Sequence, residues 1–153
     1  MLLCRLAFFS QRAWRAPNPA EDDFYLQRIL DAGLRNNPRH GLTGVLLVDG
    51  GIFVQVLEGA RGVLYDTLRR IERNPGHSDM ILTGYSEADD RLFESWSVLV
   101  REAPSGLQGT PWIPNPGMAT HGQIISTALR VNQMSEGIRR IRPGDATGQR
   151  SRF

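Results

Sequence analysis

GLTGVLLVDGGIFVQVLEG, residues Gly41 to Gly59, decides the fold. Two apolar runs, Val45 to Val48 and Ile52 to Val56, flank Asp49-Gly50-Gly51, where glycine supplies the positive φ that a tight hairpin turn requires. Side chains alternate along a strand, so Phe53, Gln55 and Leu57 share one face and Ile52, Val54 and Val56 the other. Both faces are apolar, which predicts a central strand covered on both sides. Gln55 then puts an amide, able both to donate and to accept, where few unpaired polar atoms are tolerated. Such a group is either paired with protein or reserved for a ligand, and the pattern alone leaves both open.

Upstream, Leu2 to Ser10 has strand length and composition, with Cys4, Leu6 and Phe8 on one face and Leu3, Ala7 and Phe9 on the other. Asn18-Pro19 followed by Glu21-Asp22-Asp23 is a helix start, with an N-cap residue, proline in the first turn and acids against the dipole. Phe24, Tyr25, Leu26, Ile29, Leu30 and Gly33 form its stripe, and Asn36-Asn37-Pro38 ends it. Downstream of the hairpin, Ala60 to Arg73 reads as a second amphipathic helix through Val63, Leu64, Leu68 and Ile71, stopped by Asn74-Pro75-Gly76. Asp79 to Tyr85 and Trp96 to Val100 supply two more strands. The order β-α-β-β-α-β-β predicts an α+β, ferredoxin-like mixed sheet with both helices on one face.

Residues 103–120 shift to Pro, Gly, Ser and Thr and read as a linker after a domain spanning 1–102. Gly122 to Ile141 reads as one amphipathic helix, within a capping segment 121–142 that covers the sheet face the earlier helices leave open. The tail, 143–153, is expected to be disordered. The formal net charge is +2, and all eighteen basic residues are arginine, so the high pI implies no polyanion partner. One cysteine, Cys4, excludes an internal disulfide and a multi-cysteine metal site and fits a reducing compartment. Arg5 and Gln11-Arg12 interrupt the apolar start too early for a signal peptide, and the rest of the chain has no long apolar run. The expectation is a soluble cytoplasmic protein without membrane association.

Familiar catalytic patterns are missing, including a lysine-bearing phosphate loop and GxSxG, and the expectation is that the chain is not an enzyme. His40, His77 and His121 stand at no metal-ligand spacing and read as solvated or structural. Glu58 reads as a cap for the helix that comes after it. What remains is a set of polar residues at element ends facing one crevice: Asn36, Asn37, Gln55 and Arg70.

Arg5-Leu6-Ala7-Phe8-Phe9-Ser10, Asn36-Asn37-Pro38 with Gly41-Leu42-Thr43-Gly44, Phe53-Val54-Gln55-Val56-Leu57-Glu58-Gly59, and Arg91-Leu92-Phe93 with Trp96-Ser97 together resemble the successive motifs of BLUF domains, blue-light sensors that use FAD. The resemblance covers roughly residues 2 to 100. It implies a flavin, FAD or else FMN or riboflavin, between the two helices and facing the sheet. Asn37 then matches the asparagine that hydrogen-bonds the ring's carbonyl and imide edge, and Asn36, Arg70, His77 and Ile29 line the ring or its chain. Gln55 matches the switch glutamine, and Trp96 the tryptophan that relays a change to the sheet.

Two positions depart from the family pattern. Phe8 stands where the family has the tyrosine that gives an electron and a proton to photoexcited flavin, and Val98 stands where a methionine is expected. The usual photochemistry is therefore expected to fail, while flavin binding, which rests on Asn37, the helix stripes and the crevice, is expected to survive. The leading expectation is a BLUF-type photoreceptor that signals through a partner protein or by self-association, with the C-terminal helix as output. Its rival is a light-independent interaction module derived from such a domain, with or without flavin. Nucleic acid is a weak third candidate, because the strands carry no aromatic RNA-binding signature.

Overall fold

Alternation in the hairpin becomes a sheet with a hydrophobic layer on each side. The computed structural model describes residues 1–102 and 111–145. Its elements are β1 (Leu3–Arg12), α1 (Pro19–Asn36), β2 (Thr43–Asp49), β3 (Ile52–Ala60), α2 (Arg61–Arg73), β4 (His77–Glu87), β5 (Trp96–Arg101), α3 (His121–Asn132) and β6 (Ile138–Ile141), with a 3-10 turn at Pro116–Met118. The strands form one six-stranded sheet in the order β4-β1-β3-β2-β5-β6. β3 is antiparallel to β1 and to β2, so those two run parallel and α1 is their crossover. β3 and β4 are both antiparallel to β1, which makes α2 a crossover of the same kind. This is the ferredoxin-like arrangement that the element order predicts, extended by β5 parallel to β2 and β6 antiparallel to β5.

Local chemistry accounts for the elements that carry the fold. Gly50 and Gly51 alone separate the paired residues Asp49 and Ile52, and Gly50 takes φ 60°. The Asn18 carboxamide oxygen accepts from the backbone N–H of Ala20 and Glu21, capping α1. Leu26, Ile29, Leu30 and Leu34 turn inward from α1, whereas Phe24, on the expected stripe, is 59% exposed. It lies instead against Tyr25 and under the Arg28 guanidinium at the surface. On the face carrying α1 and α2, Leu6, Phe8, Leu30, Phe53, Leu57 and Leu64 are packed together. On the opposite face, Ala7, Val45, Leu47, Val54 and Val56 meet Ile124, Ala128 and Val131 of α3. The expected C-terminal cover of the second face is present.

That cover ends differently from the expectation of one helix to Ile141. The helix stops at Asn132, and Ile138–Ile141 forms β6 on the outer edge of β5, pairing Val98 with Ile141 and Val100 with Arg139. Met134, Ile138 and Ile141 keep helical spacing by coincidence. Gly137 at φ 71° turns the chain, and the free edge of β5 offers backbone partners that a lengthened helix would forgo. Arg140 ties the two pieces, donating to Asn132 Oδ1 at 2.9 Å and to Ser97 Oγ at 3.0 Å. The described part of the expected linker is also packed: Trp112 and Ile113 lie on the α3 side, and Trp112 N–H donates to Asp49 Oδ2 at 2.8 Å. Residues 103–110 and the tail beyond 145 lie outside the described residues.

Glu58 does not cap α2, whose N-cap Ala60 offers no side-chain bond. Its carboxylate is fully buried and accepts from Arg5 Nε at 2.8 Å, Thr43 Oγ1 at 2.9 Å, Leu92 N at 2.7 Å and Phe93 N at 3.1 Å. One acid thus joins β1, β2 and β3 to the segment before β5, which explains why Arg91-Leu92-Phe93 matters to the fold. Every partner is a donor, so Glu58→Gln turns one acceptor into a donor facing donors. It is expected to lower stability by about 2–4 kcal/mol in urea denaturation. A loss below about 0.5 kcal/mol, the usual size for an inert surface change, would contradict this role.

Candidate functional site

The two crossover helices do not close over the sheet completely. Between them lies a cleft walled by Ile29, Gly33, Asn36 and Asn37 of α1 and its cap and by Thr67, Arg70, Ile71 and Asn74 of α2 and its end. Leu46 and Gln55 also line it, with His77 from β4 and Trp96 from β5. All the residues expected to contact a cofactor, Asn36, Asn37, Gln55, Arg70, His77 and Ile29, are therefore brought to one place, together with Trp96. Thr67, Ile71 and Asn74 were absent from that expectation. They recur at helical spacing with Arg70, so the period of α2 could have found them, but Asn74 reads locally as a helix stop.

Polar chemistry in the cleft is concentrated and incompletely used. Asn37 is 3% exposed and caps α1: its N–H donates to Gly33 O at 2.9 Å, and its C=O accepts from Leu42 N at 2.9 Å. Its backbone is satisfied, while its carboxamide makes no hydrogen bond to the described residues. Gln55, also 3% exposed, is in the same condition. The Trp96 indole Nε1 is buried without a partner among the described residues. Unpaired buried donors and acceptors are costly, so a cleft that gathers them is suited to a ligand with both kinds of group along one edge. The pyrimidine side of a flavin has that alternation of carbonyl acceptors and ring N–H, and the residues present fit it.

Thr67 Oγ1 donates to Val63 O at 2.8 Å and accepts from Arg70 Nη2 at 3.2 Å, which draws the guanidinium back along α2. Asn74 bridges the helices, donating weakly to Ile29 O at 3.4 Å while its Oδ1 accepts from Gly76 N at 2.9 Å. His77 Nδ1 is 2.8 Å from Ser10 Oγ, and its ring lies 4.6 Å from Phe53 and 6.2 Å from Phe8. Burial among these groups pushes His77 down to about 4, so it is a neutral imidazole at ordinary pH. The described residues contain no cluster of His, Cys, Asp and Glu able to hold a metal ion.

Phe8 is fully buried and pairs with Gln55 across β1 and β3. Val98 is fully buried on β5, between Leu46 of β2 and Ile141 of β6. The three tyrosines of the chain lie elsewhere. Tyr25 bonds Glu21, Tyr65 accepts from Arg69, and Tyr85 bonds Arg61 O, and none of the three lines the cleft.

A family model described as BLUF, sensors of blue light using FAD, matches residues 3–99. The chain belongs to this family. Among curated relatives, photoactivated adenylate cyclase subunit beta of Euglena gracilis is 31% identical over 74 residues, 48% of this chain and 9% of that protein. Subunit alpha of the same organism is 32% identical over 93 residues, 61% of this chain and 9% of its own. The chain thus spans about a tenth of the length of these relatives. The dark-state structure of BlrB, a BLUF protein, superposes with TM-score 0.62 at 23% identity, covering 86% of this chain and 95% of that one. The photo-activated state of BlsA gives 0.66 at 20% identity, covering 88% and 97%. At these identities the two structures establish the shared fold. No helix among the described residues is long and apolar enough to cross a membrane.

A buried neutral histidine makes folding sensitive to acid. The His77 value is about 4 in the folded chain against 6.5 for the free side chain, so the unfolded chain binds more protons between those values. Stability is full above the upper value and falls as pH drops through the window, by up to about 3 kcal/mol at about 1.4 kcal/mol per unit. Urea midpoints of the wild type and His77→Gln should converge as pH is lowered from 7 to 4. Parallel curves would contradict the assignment.

Proposed function

We propose that this chain binds FAD in the cleft between α1 and α2, and that Gln55 holds the flavin edge without the tyrosine-driven rearrangement used for light sensing. The observation that carries the reading is the convergence of the Gln55 and Asn37 amides, both buried and unpaired in their side chains, on the cleft that Trp96 also lines. The ring supplies blue-light absorption and redox chemistry when bound. The protein's part is to orient it. Either amide can offer a donor or an acceptor by rotation, and the apolar walls exclude water. Arg70 supplies positive charge suited to the phosphate that separates FAD and FMN from riboflavin.

Phe8 decides the fate of an absorbed photon. It has no hydroxyl to bond Gln55 and no proton to give, and its ring is much harder to oxidise than a phenol. The module therefore acts on a partner protein or a second copy according to whether flavin is bound. Its likeness to stretches of photoactivated cyclase subunits supports a regulatory rather than catalytic role. Presence of the buried Trp96 beside the cleft favours a second reading, a blue-light receptor that switches by another route.

Reconstitution with FAD and then absorption spectroscopy separates the readings. The expected result is a flavin band in the dark that blue light leaves in place, and a reversible red shift that is gained in Phe8→Tyr. A reversible shift in the wild type would favour the photoreceptor, and absence of any flavin band would overturn both. Asn37→Ala is expected to weaken FAD roughly tenfold or more, the equivalent of one lost buried hydrogen bond. Unchanged affinity would remove Asn37 from the site.

A further inference from the structure

Glycine inside a helix costs stability relative to alanine, so Gly33, in the last turn of α1 before its Asn37 cap, calls for a packing reason. A methyl group at this position would lie 3.1 Å from Trp96 Cη2, 3.5 Å from Trp96 Cζ2 and 3.3 Å from Asn37 Nδ2. Both neighbours are 3% exposed, so neither can swing aside into solvent. The helix backbone at Gly33 would accept alanine without strain, since it lies outside the positive-φ region.

We propose that Gly33 is a positioning residue for the flavin site. Its bare Cα is the notch that receives the edge of the Trp96 indole, and the notch in turn sets where the Asn37 carboxamide and the Trp96 ring stand in the cleft. Asn37 closes the same helical turn by donating its N–H to Gly33 O, so the backbone and the side-chain packing of one residue locate both polar groups. Trp96, Val98 and Ile141 belong to the same hydrophobic core. The inference rests on the reading of the cleft as a flavin site and adds the residue that gauges its depth.

The test is FAD titration of the wild type, Gly33→Ala, Trp96→Phe and the double variant, with Gly62→Ala as control. Gly62 lies in the first turn of α2 with open space where a methyl group would stand. Displacement of Asn37 and Trp96 by a few tenths of an ångström should weaken FAD roughly tenfold in Gly33→Ala. Overpacking costs more than the helix gains from alanine, so the apo variant should melt a few degrees lower while keeping its far-UV circular dichroism and a cooperative transition. A general loss of structure would instead abolish both. Trimming the indole makes room for the methyl group, so the double variant should recover part of the loss, whereas Gly62→Ala should bind as the wild type does. Wild-type affinity in Gly33→Ala, or independent effects of the two substitutions, would overturn the proposal.

Should the wild type take up no flavin, the functional reading falls and the notch is tested alone. In a chain carrying Trp14→Phe and Trp112→Phe, Trp96 is the sole tryptophan. Gly33→Ala should then shift its emission, and an unchanged spectrum would overturn the positioning role.

Discussion

The ion pair between the half-buried Arg5 and the fully buried Glu58 is the constraint on which the arrangement depends. The two residues are directly opposite in the β1–β3 register, and Thr43 is opposite Glu58 on the other side. Their faces are fixed by the same alternation that sends Phe53, Gln55 and Leu57 toward the helices. A slip of one residue would carry the carboxylate to the cleft side and Gln55 to the side covered by α3, leaving a buried charge without its donors. Hydrophobic patterning alone resists such a slip weakly here, since both faces of β3 are apolar. The charge pair supplies the specificity that the pattern lacks, and because Leu92 and Phe93 N–H groups join it, the same acid sets the approach to β5 and hence the place of Trp96.

Register then determines chemistry. Phe8 is beside Gln55 because Arg5 is beside Glu58, three positions along each strand. Leu46 flanks Gln55 on β2, so the amide has an apolar neighbour on each strand and turns to the cleft. Asn37 reaches the same cleft from the end of α1, its backbone consumed by the cap and its side chain left over. Folding thus gathers polar groups that no local interaction satisfies, which is the usual way a scaffold keeps stability and ligand binding on separate atoms.

Local signals in the sequence carry the elements that local signals build. The Gly50-Gly51 turn, the Asn18 cap and the period-two strands all stand where the residues indicate. Gln55 was legible as an anomaly because a lone amide on an apolar strand violates the pattern around it. The end of α3 was not, since Met134, Ile138 and Ile141 continue a helical period and the edge that captures them belongs to β5, far away in the chain. The destination of Glu58 was hidden for the same reason: its partners lie 15 to 53 positions away, and no spacing announces them. Asn74 reads as a stop and is also part of the cleft wall. Nonlocal pairing decides these cases.

One side chain is central to the proposed function: the Gln55 amide, held ready for a flavin edge and deprived by Phe8 of the hydroxyl that would drive its rearrangement. Its side-chain resonances in a 15N-labelled protein test this directly. They should move on addition of FAD in the dark and stay where they are under blue light. No response to FAD would contradict the site, and a further reversible displacement under light would contradict the loss of switching.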